Sequence, residues 1–178
     1  WQYKMAASLL ANFFCAIHKG EMGFAINNGE IQLNRQTLPE QFGKEEIKNA
    51  AEENNSLEAF EFAKSLFSCL TSAYAIEKEF SHNILGKISF KILVGENLPK
   101  KLALIRNGMV ITDSLEHFGD KFAKFPMSKE FVAIVGALEN SGNSLIKKLE
   151  NPRHDGLSAE RINDPGKRRE ANAAMKSL

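Results

Sequence analysis

The chain is poor in the features that most quickly betray a function. Of its 178 residues only two are cysteine, Cys15 and Cys69. Both fall inside apolar helical patterns, where free thiols behave as small buried hydrophobes, so a disulfide-stapled secreted scaffold is excluded and a reducing cytoplasm is the expected setting. Charge of one sign is not in excess either: 23 basic residues stand against 22 acidic ones, a formal net charge of +1. No global field therefore draws the molecule to nucleic acid or membrane, and any basic site must be local. No apolar run approaches the roughly 18 residues needed to span a bilayer, and no charged-apolar-small leader layout is present. Glycine motifs of the P-loop or dinucleotide type are missing, which argues against a self-contained nucleotide enzyme. His18, His82, His117 and His154 show no metal-ligand spacing with cysteines or carboxylates.

What is present is a globular composition. At 178 residues and 43% hydrophobic content, the chain has the size and apolar content of one domain, 1–178. Its first residue is Trp1 rather than methionine, which reads as a piece of something longer. From Trp1 to His18 the residues Met5, Leu9, Leu10, Phe13, Phe14 and Ile17 recur at three- and four-residue steps, giving a helix with Gly20 as its stop. Asn28-Gly29 then punctuates two short extended runs as a hairpin. Residues 34–43, with Pro39, read as a loop, and residues 44–53 as a charged helix. A second long helix carries Leu57, Phe60, Phe62, Ala63, Leu66, Phe67, Leu70 and Tyr74 on one broad apolar stripe, with Ser56 as N-cap, and is expected to lie against a sheet.

Strands follow. Ile88, Phe90, Ile92 and Val94 alternate through residues 87–94, and Leu102–Ile105 with Met109–Ile111 flank Asn107-Gly108, a second hairpin signal. Residues 115–126, with Phe118, Phe122 and Phe125, read as irregular. The β-branched run Phe131-Val132-Ala133-Ile134-Val135 reads as a buried central strand. A short helix over 145–149 and a terminal helix over 167–178 complete the order. Strands grouped between helices predict an α+β fold, with a mainly antiparallel or mixed sheet of about four strands covered by helices.

The densest chemistry lies in the loop after the central strand, which holds Arg153, His154, Asp155, Arg161 and Lys167 between Pro152 and Pro165. Cations on a loop restrained at both ends can meet an anion at little ordering cost. The bland alternative is a solvated surface on which these cations answer Glu150, Asp155, Glu160 and Asp164. His154-Asp155 could begin a metal-dependent phosphohydrolase site, but further ligands on other helices are not visible, and Asp155 can equally bond nearby backbone amides. Arg106 could present a guanidinium at a hairpin tip, although turn chemistry alone accounts for Asn107 and Gly108.

Taken together, FVAIVGALENSG through NPRHDGLSAERI resembles the corresponding region of the GHKL ATPase superfamily, which unites gyrase, the ninety-kilodalton heat-shock chaperone, histidine kinases and the mismatch-repair protein MutL. LALIRNGMVITD resembles a hairpin of its bacterial and MORC-type members, and ANFFCAIHKGEMGFAI the entry into their second domain. The resemblance implies a transducer domain, related to a small-subunit ribosomal protein fold, that follows an ATP-binding domain. It implies that Arg161 first, Arg153 second and Lys101, or its neighbour Lys100, third are candidate contacts to the terminal phosphate of ATP. It also implies ATP and Mg in the parent protein, an upstream ATP-binding domain and a homodimer as partners, and nucleotide-dependent conformational change. The asparagine-bearing helix and aspartate-glycine motifs of the ATP-binding domain have no counterpart here, so no cofactor and no activity are expected of the fragment alone. A stand-alone nucleic-acid-binding domain of the same fold, using Lys167-Arg168-Arg169, is the competing expectation.

Overall fold

The computed structural model describes residues 1–119, 129–152 and 156–178, with only the backbone of Glu116. These form an α+β structure of six helices, a two-stranded antiparallel sheet and a five-stranded mixed sheet. The chain divides into two compact units, one of Trp1–Thr71 with Asn107–Val110 and one of Ser72–Arg106 with Ile111–Leu178.

The first unit is mostly helical. Helix α1 (Gln2–Lys19) buries Ala6, Leu10, Phe14 and Ile17 along one face and stops where Gly20 turns left-handed at φ 78°. Strands β1 (Phe24–Ile26) and β2 (Ile31–Leu33) pair antiparallel around the Asn28-Gly29 turn. Residues 34–43 are not all loop: Leu38–Gly43 forms helix α2. Pro39 sits in its first turn, where a missing N–H costs nothing, so a proline that reads as a breaker instead starts a helix. Helices α3 (Glu45–Glu53) and α4 (Leu57–Thr71) follow. Helix α4 packs on α1 and α3 rather than on a sheet. Phe42 of α2 packs on α4 through Phe67, with ring centroids 5.3 Å apart, and Phe60 at 5.6 Å, and on α1 through Phe14 at 6.4 Å. The Ser56 hydroxyl donates to the Ala51 carbonyl at the end of α3. Tyr74 lies beyond the helix and is 90% exposed, off the apolar stripe. Gly108 (φ 74°) also belongs to this unit. Its carbonyl accepts from the Ala16 amide at 3.1 Å, and a Cβ there would come within 2.6 Å of the Ala16 side chain.

The five-stranded sheet, all of it in the second unit except residues 109–110, is ordered β3 (Ile76–His82), β4 (Gly86–Val94), β7 (Phe131–Ala137), β5 (Lys101–Arg106) and β6 (Met109–Thr112). As its sequence suggests, β7 is the middle strand, with Phe131 through Val135 all buried. Each such side chain contributes about 1.5–3 kcal/mol when removed from water. It pairs antiparallel with β4 and parallel with β5, so the sheet is mixed. Strand β3 had no counterpart in the sequence reading. It lies at the sheet edge with six of its seven residues exposed, so it shows no apolar alternation to recognise.

Helix α5 (Asn140–Leu149) starts earlier than the sequence suggests, and Gly142 makes that start feasible. A Cβ on Gly142 would collide with the Leu85 carbonyl oxygen and lie 2.8 Å from the Ala137 side chain, so only glycine lets the helix approach the β3–β4 turn so closely. A 3₁₀ turn at Glu116–Phe118 and helix α6 (Pro165–Lys176) complete the unit. Phe122, Phe125, Arg153, His154 and Asp155, all singled out in the sequence, lie outside the described residues.

Candidate functional site

The most chemically organised place among the described residues is the point where α5 ends. Helix α5 turns Ile146 and Leu149 into the core, and the next residue, Glu150, continues the same i, i+3, i+4 face. Its carboxylate is thereby carried inside, leaving the side chain 1% exposed. A lone carboxylate there would be several kcal/mol out of place. Arg106, the last residue of β5, resolves this. Its guanidinium meets Glu150 side-on, Nε donating to Oε1 and Nη2 donating to Oε2 at 3.0 Å. Such two-pronged pairing fixes both angle and distance.

Beyond Glu150 the chain leaves and returns. Glu150 and Leu157 form an antiparallel bridge, the Asn151 amide donates to the Gly156 carbonyl at 3.0 Å, and the Ser158 amide donates to the Leu149 carbonyl at 2.8 Å. The base of the loop is therefore closed by backbone bonds, with Leu157 and Ala159 buried beside it. On the returning segment stands Arg161, an exposed residue whose Nη1 donates to the Glu150 carbonyl at 3.1 Å. One residue thus serves two guanidiniums, through its carboxylate and through its carbonyl. Among the described residues of the cluster, two cations against one carboxylate leave one positive charge. That charge belongs to Arg161, because Arg106 is neutralised. The Nε and Nη2 of Arg161 have no hydrogen-bond partner among the described residues.

Farther along, Arg168 Nε donates to the Ile162 carbonyl at 2.9 Å, and Asp164 caps α6 by accepting from the Lys167 amide at 2.9 Å. That backbone bond holds the Asp164 carboxyl below its ordinary pKa. Lys167, Arg168 and Arg169 are all exposed at the start of α6.

The sequence-derived candidates do not all converge. Arg161 stands at the Glu150 cluster. Arg153 lies outside the described residues. Lys101 opens β5 whereas Arg106 closes it, so the two are about 17 Å apart along the strand. There Lys101 meets Asp113 at 3.3 Å. Glu150 is not the solvated counter-charge that the loop composition suggests; it is buried and committed to Arg106. Their pairing spans 44 residues and leaves no local pattern. The available signal was the carboxylate at a core-facing helical position.

Other chemistry is sparse among the described residues. No group of three or more His, Cys, Asp or Glu could hold a metal ion, and no helix is long and apolar enough to cross a membrane. Cys15 and Cys69 are buried, and burial pushes the Cys15 thiol above its ordinary pKa, away from nucleophilic use. No protein-family model, curated protein or solved structure matches the chain.

Proposed function

We propose that this chain is a non-catalytic transducer module of a GHKL-type ATPase, cytoplasmic, in which Arg161 contacts the terminal phosphate of ATP held by a preceding ATP-binding domain. Phosphate sensing by Arg161 would relay nucleotide state to partner domains and to a second copy in a homodimer. The observation that carries this reading is the half-occupied guanidinium of Arg161, tied by Nη1 to the Glu150 carbonyl while Nε and Nη2 have no partner among the described residues. A guanidinium held this way can meet two phosphoryl oxygens without first being ordered, and a fixed cation aimed at charge growing on a transferring phosphoryl group lowers the barrier. The α+β architecture with a mixed sheet is compatible with a transducer. Arg153 remains the second candidate for the phosphate contact and Lys101, already facing Asp113, the third. The family resemblance implies ATP and Mg in the parent protein, and this chain carries no phosphate-cradling glycine motif of its own.

The test is Arg161→Ala in the polypeptide that carries this chain. ATP turnover should fall by about 100-fold, the usual cost of removing one preorganised donor. Turnover that is unchanged, or absent from the parent altogether, overturns the reading. The exposed Lys167-Arg168-Arg169 cluster favours a second reading, a nucleic-acid-binding domain. Binding of DNA or RNA by the chain that weakens steeply with salt would favour that reading over the transducer.

A further inference from the structure

We infer that the buried Arg106–Glu150 pair is a positioning device: Arg106 acts through Glu150 to aim the side-on edge of Arg161 at an oxyanion offering two oxygens. The consequence for turnover rests on the transducer reading, whereas the geometry does not.

Buried ion pairs are weak sources of stability, because desolvating both groups offsets most of their attraction. The Arg106–Glu150 pair, with side chains 12% and 1% exposed, is therefore better explained by the geometry it imposes. Its side-on fork leaves the Glu150 side chain a single orientation, and the bridge to Leu157 restrains the main chain of the same residue. A carbonyl fixed from both sides is what holds Arg161, an exposed residue whose guanidinium has no other hydrogen-bond partner among the described residues. The bond uses Nη1. The Nε–Nη2 edge is left, and that edge is the one Arg106 uses on a carboxylate a few ångströms away in the same cluster. A bidentate oxyanion, such as a phosphoryl group with two non-bridging oxygens, is the ligand class such an edge recognises. Without the fork, the carbonyl of Glu150 and the arginine hanging from it gain freedom that a ligand must then remove.

Arg106→Lys tests this, because it keeps the buried positive charge and removes the fork. In the full chain labelled with ¹⁵N-arginine, the Arg161 Nε–Hε signal should show hindered rotation of the guanidinium, and Arg106→Lys should convert it to the averaged signal of a solvated arginine while the fold, followed by circular dichroism, is retained. An Arg161 signal identical in both proteins overturns the inference whatever turnover does. If Arg106→Lys does not fold, Arg106→Met combined with Glu150→Leu, which buries no charge, makes the same comparison with the same expected loss. In the ATPase that carries the chain, Arg106→Lys should lower kcat on the order of tenfold with KM for ATP little changed, as expected of a misaimed group. Combined with Arg161→Ala it should cost nothing further, because it acts through the residue already removed. Multiplying effects would show that Arg106 does not work through Arg161. If Arg161→Ala is silent in turnover but the NMR difference appears, the positioning stands and the phosphate reading falls.

Discussion

At one end of β5, Lys101 meets Asp113 at 3.3 Å with side chains 36% and 40% exposed; at the other, Arg106 meets Glu150 with side chains 12% and 1% exposed. Both pair a cation on β5 with a carboxylate from another segment, Asp113 just past β6 and Glu150 at the end of α5. Their surroundings differ. Water screens the first pair and competes for its hydrogen bonds, so its formation changes little. The second has exchanged water for a two-pronged pairing between carboxylate and guanidinium, so removing either member would leave the other's charge buried without it. Stored charge at the Glu150 end is therefore consequential when disturbed, and charge at the Lys101 end is not.

The sharpest way to break this contrast is Glu150→Ala. Leaving the Arg106 guanidinium buried and unpaired should cost about 3–5 kcal/mol of unfolding free energy in denaturant titrations. Replacing both members by apolar residues should recover most of that loss. A loss below about 1 kcal/mol for the single variant would put this pair in the same class as an exposed one. Next in size is Lys101→Ala, which should change stability by no more than about 1 kcal/mol, with any effect shrinking in added salt. A larger, salt-independent loss there would erase the difference between the two ends.

The smallest effect belongs to Asp164, a fully exposed cap. Its folded pKa lies below the ordinary 3.8, so its support of α6 is complete above that value and is lost only as pH falls through the lowered one. The Lys167 amide resonance should accordingly stay fixed from neutral pH down past the ordinary carboxylate range and move only in stronger acid. A midpoint at or above 3.8 would mean that the cap bond carries no preference for the charged form.

Much of the architecture was legible because it rests on local rules. The stripe Leu10, Phe14 and Ile17 with Gly20 marked α1, the Asn-Gly pairs at 28–29 and 107–108 marked the four-residue turn between β1 and β2 and the two-residue turn between β5 and β6, and the β-branched run at 131–135 marked the middle strand. The α+β class followed from the grouping of elements, and the sheet has five strands with a separate pair beside the expected four or so. Strand β3 was hidden because an edge strand with Glu77, Lys78 and Glu79 need not alternate apolar residues. Helix α2 was hidden by a proline whose position within the first turn no composition reveals. At the site, Arg161 stood out as a loop cation, but Arg106–Glu150 did not, since side chains 44 residues apart meet only once the sheet has formed. Burial decides the role of a charge, and burial is a property of the folded chain.

The closure of the loop base bears on how this region can vary. Leu149, Glu150 and Asn151 on one side and Gly156, Leu157 and Ser158 on the other are joined by main-chain bonds and a bridge, which hold the two runs of chain side by side. The entropy of bringing those ends together is already spent by the frame. A seam of this kind is indifferent to side-chain identity, because the groups that close it belong to the backbone.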